Sequence, residues 1–183
     1  MTLVAIPNET KPTDRRTAMS PANIAKLVLS GVDALVEEGL GVGSGFSDDQ
    51  YRQAGAEVTK NHEEIFSRGD VVLRLHKPTI EEAKLLKSGS VHVSYLDPFN
   101  EQELIETLKN RLVSTISMEM IPRTTRAQKM DALSSQASLA GYVMVLMAAN
   151  RLNRILPMMM TPSGTIKPAK VFVIGAGVAG LQS

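Results

Sequence analysis

The chain has 183 residues, 43% of them hydrophobic and 21% charged, with a net charge of +1. That is material for one ordinary domain and part of another. A charge so close to zero leaves neither a basic footprint for nucleic acid nor an acidic tail. The absence of cysteine excludes disulfides, thiol nucleophiles and cysteine-ligated metals. His62, His76 and His92 are the only histidines and share no helical metal-ligand spacing, so no metal site is expected.

The N-terminal string MTLVAIPNETKPTDRR lacks the basic start and long apolar run of a signal peptide. No stretch approaches the roughly 18–20 uninterrupted apolar residues that cross a bilayer. The longest apolar run, residues 142–149, is bounded by Asn150, Arg151 and Arg154. A soluble, cytoplasmic polypeptide is therefore expected.

Residues 3–6 form a buried-strand pattern stopped by Pro7, and residues 8–16 a polar loop. Ser20-Pro21 opens a helix, with Ser as N-cap and Pro in the first turn. Ile24, Leu27, Val28 and Val32 make its apolar stripe, and Gly31 marks its end. Residues 34–36 read as a second strand. Gly39, Gly41, Gly43 and Gly45 then give a flexible loop, with turn chemistry rather than a phosphate loop, before a short helix at 48–54. A short edge strand at 57–58 and a helical turn at 63–67 follow. DVVLRL, residues 70–75, is the clearest strand, a continuous β-branched and leucine run. A helix at 79–87, a strand at 90–95, a helix at 101–109 capped by Asn100, and a strand at 112–117 complete the alternation. Strands alternating with short helices predict a parallel sheet covered on both faces.

The string PRTTRAQKMDALSSQASLAGY, residues 122–142, gathers Arg123, Arg126, Gln128, Asp131, Ser134, Ser135 and Gln136. Such cationic forks, amide, carboxylate and hydroxyls suit a ligand bearing phosphate and ribose. They equally suit a solvated helix start with Asp131 or Ser134 as N-cap. The helix that follows, residues 134–152, is apolar nearly all round, which predicts burial on most sides. LPMMM, residues 156–160, reads as core packing or as an apolar patch, and residues 161–168 as a turn-rich connection.

The last string, KVFVIGAGVAGLQS, places a buried-strand pattern at 171–174 directly before Gly175-Ala176-Gly177-Val178-Ala179-Gly180. This is the G-x-G-x-x-G of dinucleotide binding. Gly175 permits the turn, Gly177 lets backbone approach a pyrophosphate, and Gly180 allows close packing. A glycine-rich turn without ligand fits the same six residues. The motif requires a following helix and an acidic residue about 20 positions on. Neither is expected within the chain, which thus reads as a fragment of a longer protein.

These strings together resemble the NAD(H)-binding component of proton-translocating NAD(P) transhydrogenase, its alpha subunit, within the alanine dehydrogenase/transhydrogenase family. The likeness begins at AIPNETKPTDRRTAMSP and runs through GVGSGFSDDQYRQAGAE and MEMIPRTTRAQKMDALSSQASLAGY to PMMMTPSGTIKPAKVFVIGAGVAGLQ. The resemblance implies hydride transfer between NAD(H) here and NADP(H) on a partner component, coupled to proton translocation. It implies Arg123, Gln128 and Asp131 as the loop triad beside the nicotinamide. Ser134 would neighbour the carboxamide or ribose, with Gly175, Gly177, Val178, Ala179 and Gly180 around the pyrophosphate. The implied partners are the NADP-binding and membrane-spanning components and a second copy, with the protein peripheral to the inner membrane.

An alanine dehydrogenase resembles the chain at Arg16, where that enzyme binds the substrate carboxylate. It departs where its lysine falls at or next to His76 and its histidine at Asp97. A non-enzymatic dimerisation module is the third reading, motivated by the apolar helix and LPMMM. The expected architecture is α/β: a Rossmann-like or flavodoxin-like parallel sheet with helices on both faces, a long linking helix, and the first strand of a second dinucleotide-binding domain. The divisions are residues 1–133, 134–168 and 169–183.

Overall fold

The structure, a computed structural model, describes residues 1–11 and 13–183; Pro12, within the expected polar loop, lies outside the described residues. It comprises two compact units, Met1–Ile121 and Pro122–Ser183.

In the N-terminal unit six strands form one parallel sheet in the order β3-β2-β1-β4-β5-β6. They are β1 (Leu3–Ile6), β2 (Asp33–Glu37), β3 (Glu57–Thr59), β4 (Val71–His76), β5 (Val91–Tyr95) and β6 (Ser114–Ser117). The intervening helices are α1 (Pro21–Leu29), α2 (Asp48–Gln53), α3 (His62–Arg68), α4 (Ile80–Leu85) and α5 (Gln102–Asn110). Successive side chains of a strand point to opposite faces, and the core divides accordingly. Val4, Ile6, Ala34 and Val36 pack with Ile24 of α1 and Tyr51 of α2. Ala5, Leu35 and Val72 pack with Ile65, Phe66, Leu104 and Leu108 from α3 and α5. Helices therefore cover both faces, as the alternating pattern predicts.

From β1 the chain moves outward through β2 and β3, then returns to lay β4 against the other side of β1. The loops after β1 and β4 leave in opposite directions. The crevice they open at the carboxyl ends of the strands is where folds of this class bind ligands.

Local chemistry sets the helix starts. Ser20 accepts from Asn23 N, with Pro21 behind it. Ser47 with Gln50 and Thr79 with Glu82 form reciprocal capping boxes. Asn100 does not cap α5: the N-cap is Glu101, which makes no side-chain cap bond. The Asn100 amide instead donates to Asp97 Oδ1 at 2.8 Å. Leu112, expected in a strand, sits at φ 58 in the turn before β6.

His92 on β5 is fully buried, with Ser94 Oγ 3.1 Å from its Nε2. Burial, with the nearby Arg74 charge, pushes its pKa from 6.5 down to about 4. Protonation thus favours the unfolded chain. This contribution is complete above pH 6.5 and is lost as pH falls toward 4, amounting to about 3 kcal/mol at the acid end. Urea unfolding at pH 7 and pH 4.5 should show that loss in the wild type and a much smaller one in His92→Gln.

The C-terminal unit holds α6 (Ala132–Arg151), the antiparallel hairpin β7 (Met159–Thr161) with β8 (Gly164–Ile166), and α7 (Val178–Gln182). Gly141 is the one buried residue of α6. A Cβ there would collide with the Ala179 carbonyl, so a glycine lets α7 lie against α6. The expected burial of α6 is not met: among the described residues α7 alone packs closely on it, and Leu139, Tyr142, Leu146 and Met147 are exposed. With its length and an 18-residue window of mean hydropathy 1.4, α6 also passes for a bilayer-crossing helix by length and composition. Its apolar run is interrupted by Ser134, Ser135, Gln136 and Ser138, which do not lower the mean far.

The methionine run is not core either. Met158, Met159 and Met160 are exposed, and the last two lie in the hairpin opposite Ile166 and Thr165. Residues 171–174 form no strand, since no neighbouring strand takes up their backbone groups. A short helix, α7, starts at Val178 inside the glycine motif, where no helix was expected.

Candidate functional site

Two groups of polar residues qualify, one in each unit. In the C-terminal unit, residues 125–130 wind into a 3₁₀ turn that ends on Asp131. Asp131 is the N-cap of α6: its Oδ1 accepts from Ser134 N at 2.9 Å and its Oδ2 from Ser134 Oγ at 2.6 Å. The Ser134 hydroxyl and amide hold the Asp131 carboxyl below its ordinary range, and the Arg123 charge adds to this. Arg123 and Asp131 therefore share one electrostatic neighbourhood, with Gln128 on the turn between them. Gln128 contributes its carbonyl to Asp131 N at 3.3 Å and leaves an exposed side chain. Of the two expected caps, Asp131 is the one used.

The glycine motif is explicit in the backbone. Gly175 has φ 108, a conformation side chains rarely adopt. A Cβ on Gly180 would lie far inside contact distance of the Gly175 carbonyl oxygen. Gly177 differs: it is the N-cap of α7, without a side-chain cap, and a Cβ there would meet open space. Two glycines are thus required by the loop itself, while the third leaves room in front of the helix-start amides. Val178 and Ala179 open α7. This arrangement fits a pyrophosphate, which takes backbone N–H donors at such a turn. A separate cavity of about 810 Å³, lined by Leu152, Ile155, Leu156, Met159 and Ile166, contains none of these residues.

In the N-terminal unit the crevice beyond β1, β4 and β5 is rich in charge. Glu9 accepts from Leu75 N at 2.6 Å and His76 N at 2.9 Å, tying the loop after β1 to the end of β4. Arg74, its side chain fully buried, lies 3.1 Å from Glu82 Oε1 and donates to the Asn8 carbonyl at 3.2 Å. The Glu82 contact is an ion pair by distance rather than a directed hydrogen bond. Burial alone would raise the Glu82 pKa, but the Thr79 amide and the Arg74 charge outweigh it and hold it low. His62 stands between Glu37, 3.0 Å away, and Glu82, 3.1 Å away.

Arg16 and His76, compared above with residues of an alanine dehydrogenase, meet through Asp14. Asp97 sits at φ 53 with its amide held 2.5 Å from Glu119 Oε1. Sequence reading missed Glu9, Asp14, Arg74 and Glu119. Only Arg74 carried a signal, a lone charge inside the apolar run VVLRL.

Residues 5–140 match the family "Alanine dehydrogenase/PNT, N-terminal domain", and residues 144–183 match its C-terminal domain. The chain is 41% identical over 185 aligned residues to an NAD(P) transhydrogenase alpha-subunit polypeptide of Rhodospirillum rubrum, covering 98% of this chain and 48% of that one. It is 28% identical over 184 residues to an alanine dehydrogenase of Bacillus subtilis, covering 99% and 48%. Among solved structures it superposes on a transhydrogenase from Sinorhizobium meliloti with TM-score 0.90 at 44% identity, over 98% of this chain and 54% of that chain. The chain thus spans about half the length of these relatives.

Proposed function

The chain belongs to the alanine dehydrogenase/PNT family, and from that premise we propose that it is the first half of the NAD(H)-binding component of a proton-translocating NAD(P) transhydrogenase. The observation that carries this reading is the 41% identity to a transhydrogenase subunit across 98% of the chain, against 28% to an alanine dehydrogenase. In the complete protein, hydride passes between NAD(H) here and NADP(H) on a partner component, with proton translocation through a membrane-spanning one. A second copy completes a dimer, and the assembly places this component in the cytoplasm, peripheral to the inner membrane. In functional terms residues 1–133 form the N-terminal domain, 134–168 the link, and 169–183 the opening of the coenzyme domain.

When bound, NAD(H) supplies or accepts the hydride. The chain's own residues bind and orient. Gly175 and Gly180 would shape the loop, and Gly177 with the amides of Val178 and Ala179 would hold the pyrophosphate. Asp131 and Ser134 fix the start of α6, so the loop ahead of it is preorganised. Arg123 offers a fork to phosphate, and Gln128 an amide that both donates and accepts. No general acid is required, since holding the reacting rings in line is the main demand on the protein.

The test is the complete subunit assayed with its partner components. Transhydrogenation is expected, and NAD-dependent amination of pyruvate is not; the reverse pattern would establish the alanine dehydrogenase alternative. Arg123→Ala should slow hydride transfer roughly 10–100-fold while weakening NADH binding far less, as expected of an orienting residue. An unchanged transfer rate removes Arg123 from the site.

A further inference from the structure

Thr10, His76, Lys77, Thr79 and Tyr95 line a cavity of about 430 Å³ at the carboxyl ends of β4 and β5. Arg16 lies near Tyr95 of this lining and close enough to Glu9 to feel its charge. An arginine so placed would ordinarily take a small carboxylate with both arms of its fork. Here the chain supplies the carboxylate. Arg16 Nε donates to Asp14 Oδ1 at 2.9 Å and Nη2 to Oδ2 at 2.6 Å. The Arg16 amide donates to the same Oδ1 at 3.0 Å, which fixes the pair through the backbone. Asp14 Oδ2 also lies 2.9 Å from His76 Nε2. Beside His76, Lys77 Nζ is held by Glu101 at 2.5 Å.

We infer that Asp14 is a built-in carboxylate that keeps small carboxylic acids out of this crevice, by occupying the Arg16 guanidinium and the His76 imidazole from within. A diffusing acid must displace a group two residues away in the chain, which the Arg16 amide holds in register and which therefore acts at a far higher effective concentration than a free competitor. Asp14 is then a specificity-determining residue: it closes the crevice to oxo and amino acids whatever the reaction performed elsewhere on the protein.

The experiment is Asp14→Ala in the full chain, titrated with pyruvate and with oxalate while the His76 ring signals are followed by NMR. The wild type should show no saturable shift at about 10 mM, whereas the variant should saturate with a Kd in the low millimolar range. Adding Arg16→Met to the variant should abolish that binding. If Asp14→Ala does not fold, Asp14→Asn keeps the volume, removes the charge and should bind more weakly but measurably. Wild-type binding as tight as the variant's would overturn the inference. So would silence from a folded variant, or binding that survives the loss of Arg16.

Discussion

Replacing Arg74 by methionine is expected to cost the N-terminal unit about 3–5 kcal/mol, a large fraction of the stability of a domain this size. The methionine fills most of the volume, so the loss is electrostatic. Glu82 stays buried, 8% exposed at its side chain, without the cation 3.1 Å away that offsets its desolvation. The Asn8 carbonyl also loses its donor. Neutralising the stranded partner is the decisive control, because Arg74→Met with Glu82→Gln should recover much of the loss. Urea unfolding of the single and double variants measures both quantities, and a single variant as stable as wild type would show that the pair contributes little.

The second large effect separates two roles of one motif. Gly180→Val should abolish coenzyme binding in the complete subunit, lowering NADH affinity about 1000-fold or more, which is about 4 kcal/mol. It should also disturb the C-terminal unit with no ligand present, since its Cβ collides with the Gly175 carbonyl. Gly177→Ala should behave otherwise. Its Cβ meets nothing in the chain, so Tm should hold while affinity falls about 10–100-fold as the methyl keeps phosphate from the backbone. If Gly177→Ala binds NADH normally, the loop is a turn and not a phosphate cradle. Thermal unfolding beside fluorescence titration distinguishes the cases.

How far the sequence could be read follows from the range of each signal. The strands of the sheet show in apolar runs such as VVLRL, because a strand buried on both faces needs no partner information to be recognised. Caps are legible where they are local, as at Ser20-Pro21. Asn100 misleads because Asp97, three residues earlier, takes its amide. The apolar character of α6 and of LPMMM is plain, but apolar sequence says only that a surface wants cover, not which element provides it. In the candidate sites the contrast is sharper. Asp131, Ser134 and the glycines lie within one turn of their partners, so their pattern is visible. Asp14 with His76 and Glu9 with Leu75 join residues 62 and 66 positions apart, and nothing in either string announces the other.

The central place of β1 bears on how the sheet is made. Of the six strands β1 leaves the ribosome first, yet it ends between two neighbours, β2 and β4, with Val4 paired to Val71. At about 5–20 residues per second, several seconds pass before that second neighbour exists. Throughout that interval one side of Leu3–Ile6 is an open edge of unpaired backbone N–H and C=O groups, flanked by apolar side chains. The nascent chain is therefore most exposed to aggregation while residues 7–70 are being synthesised, and a holdase acting on this protein would find its substrate in that window.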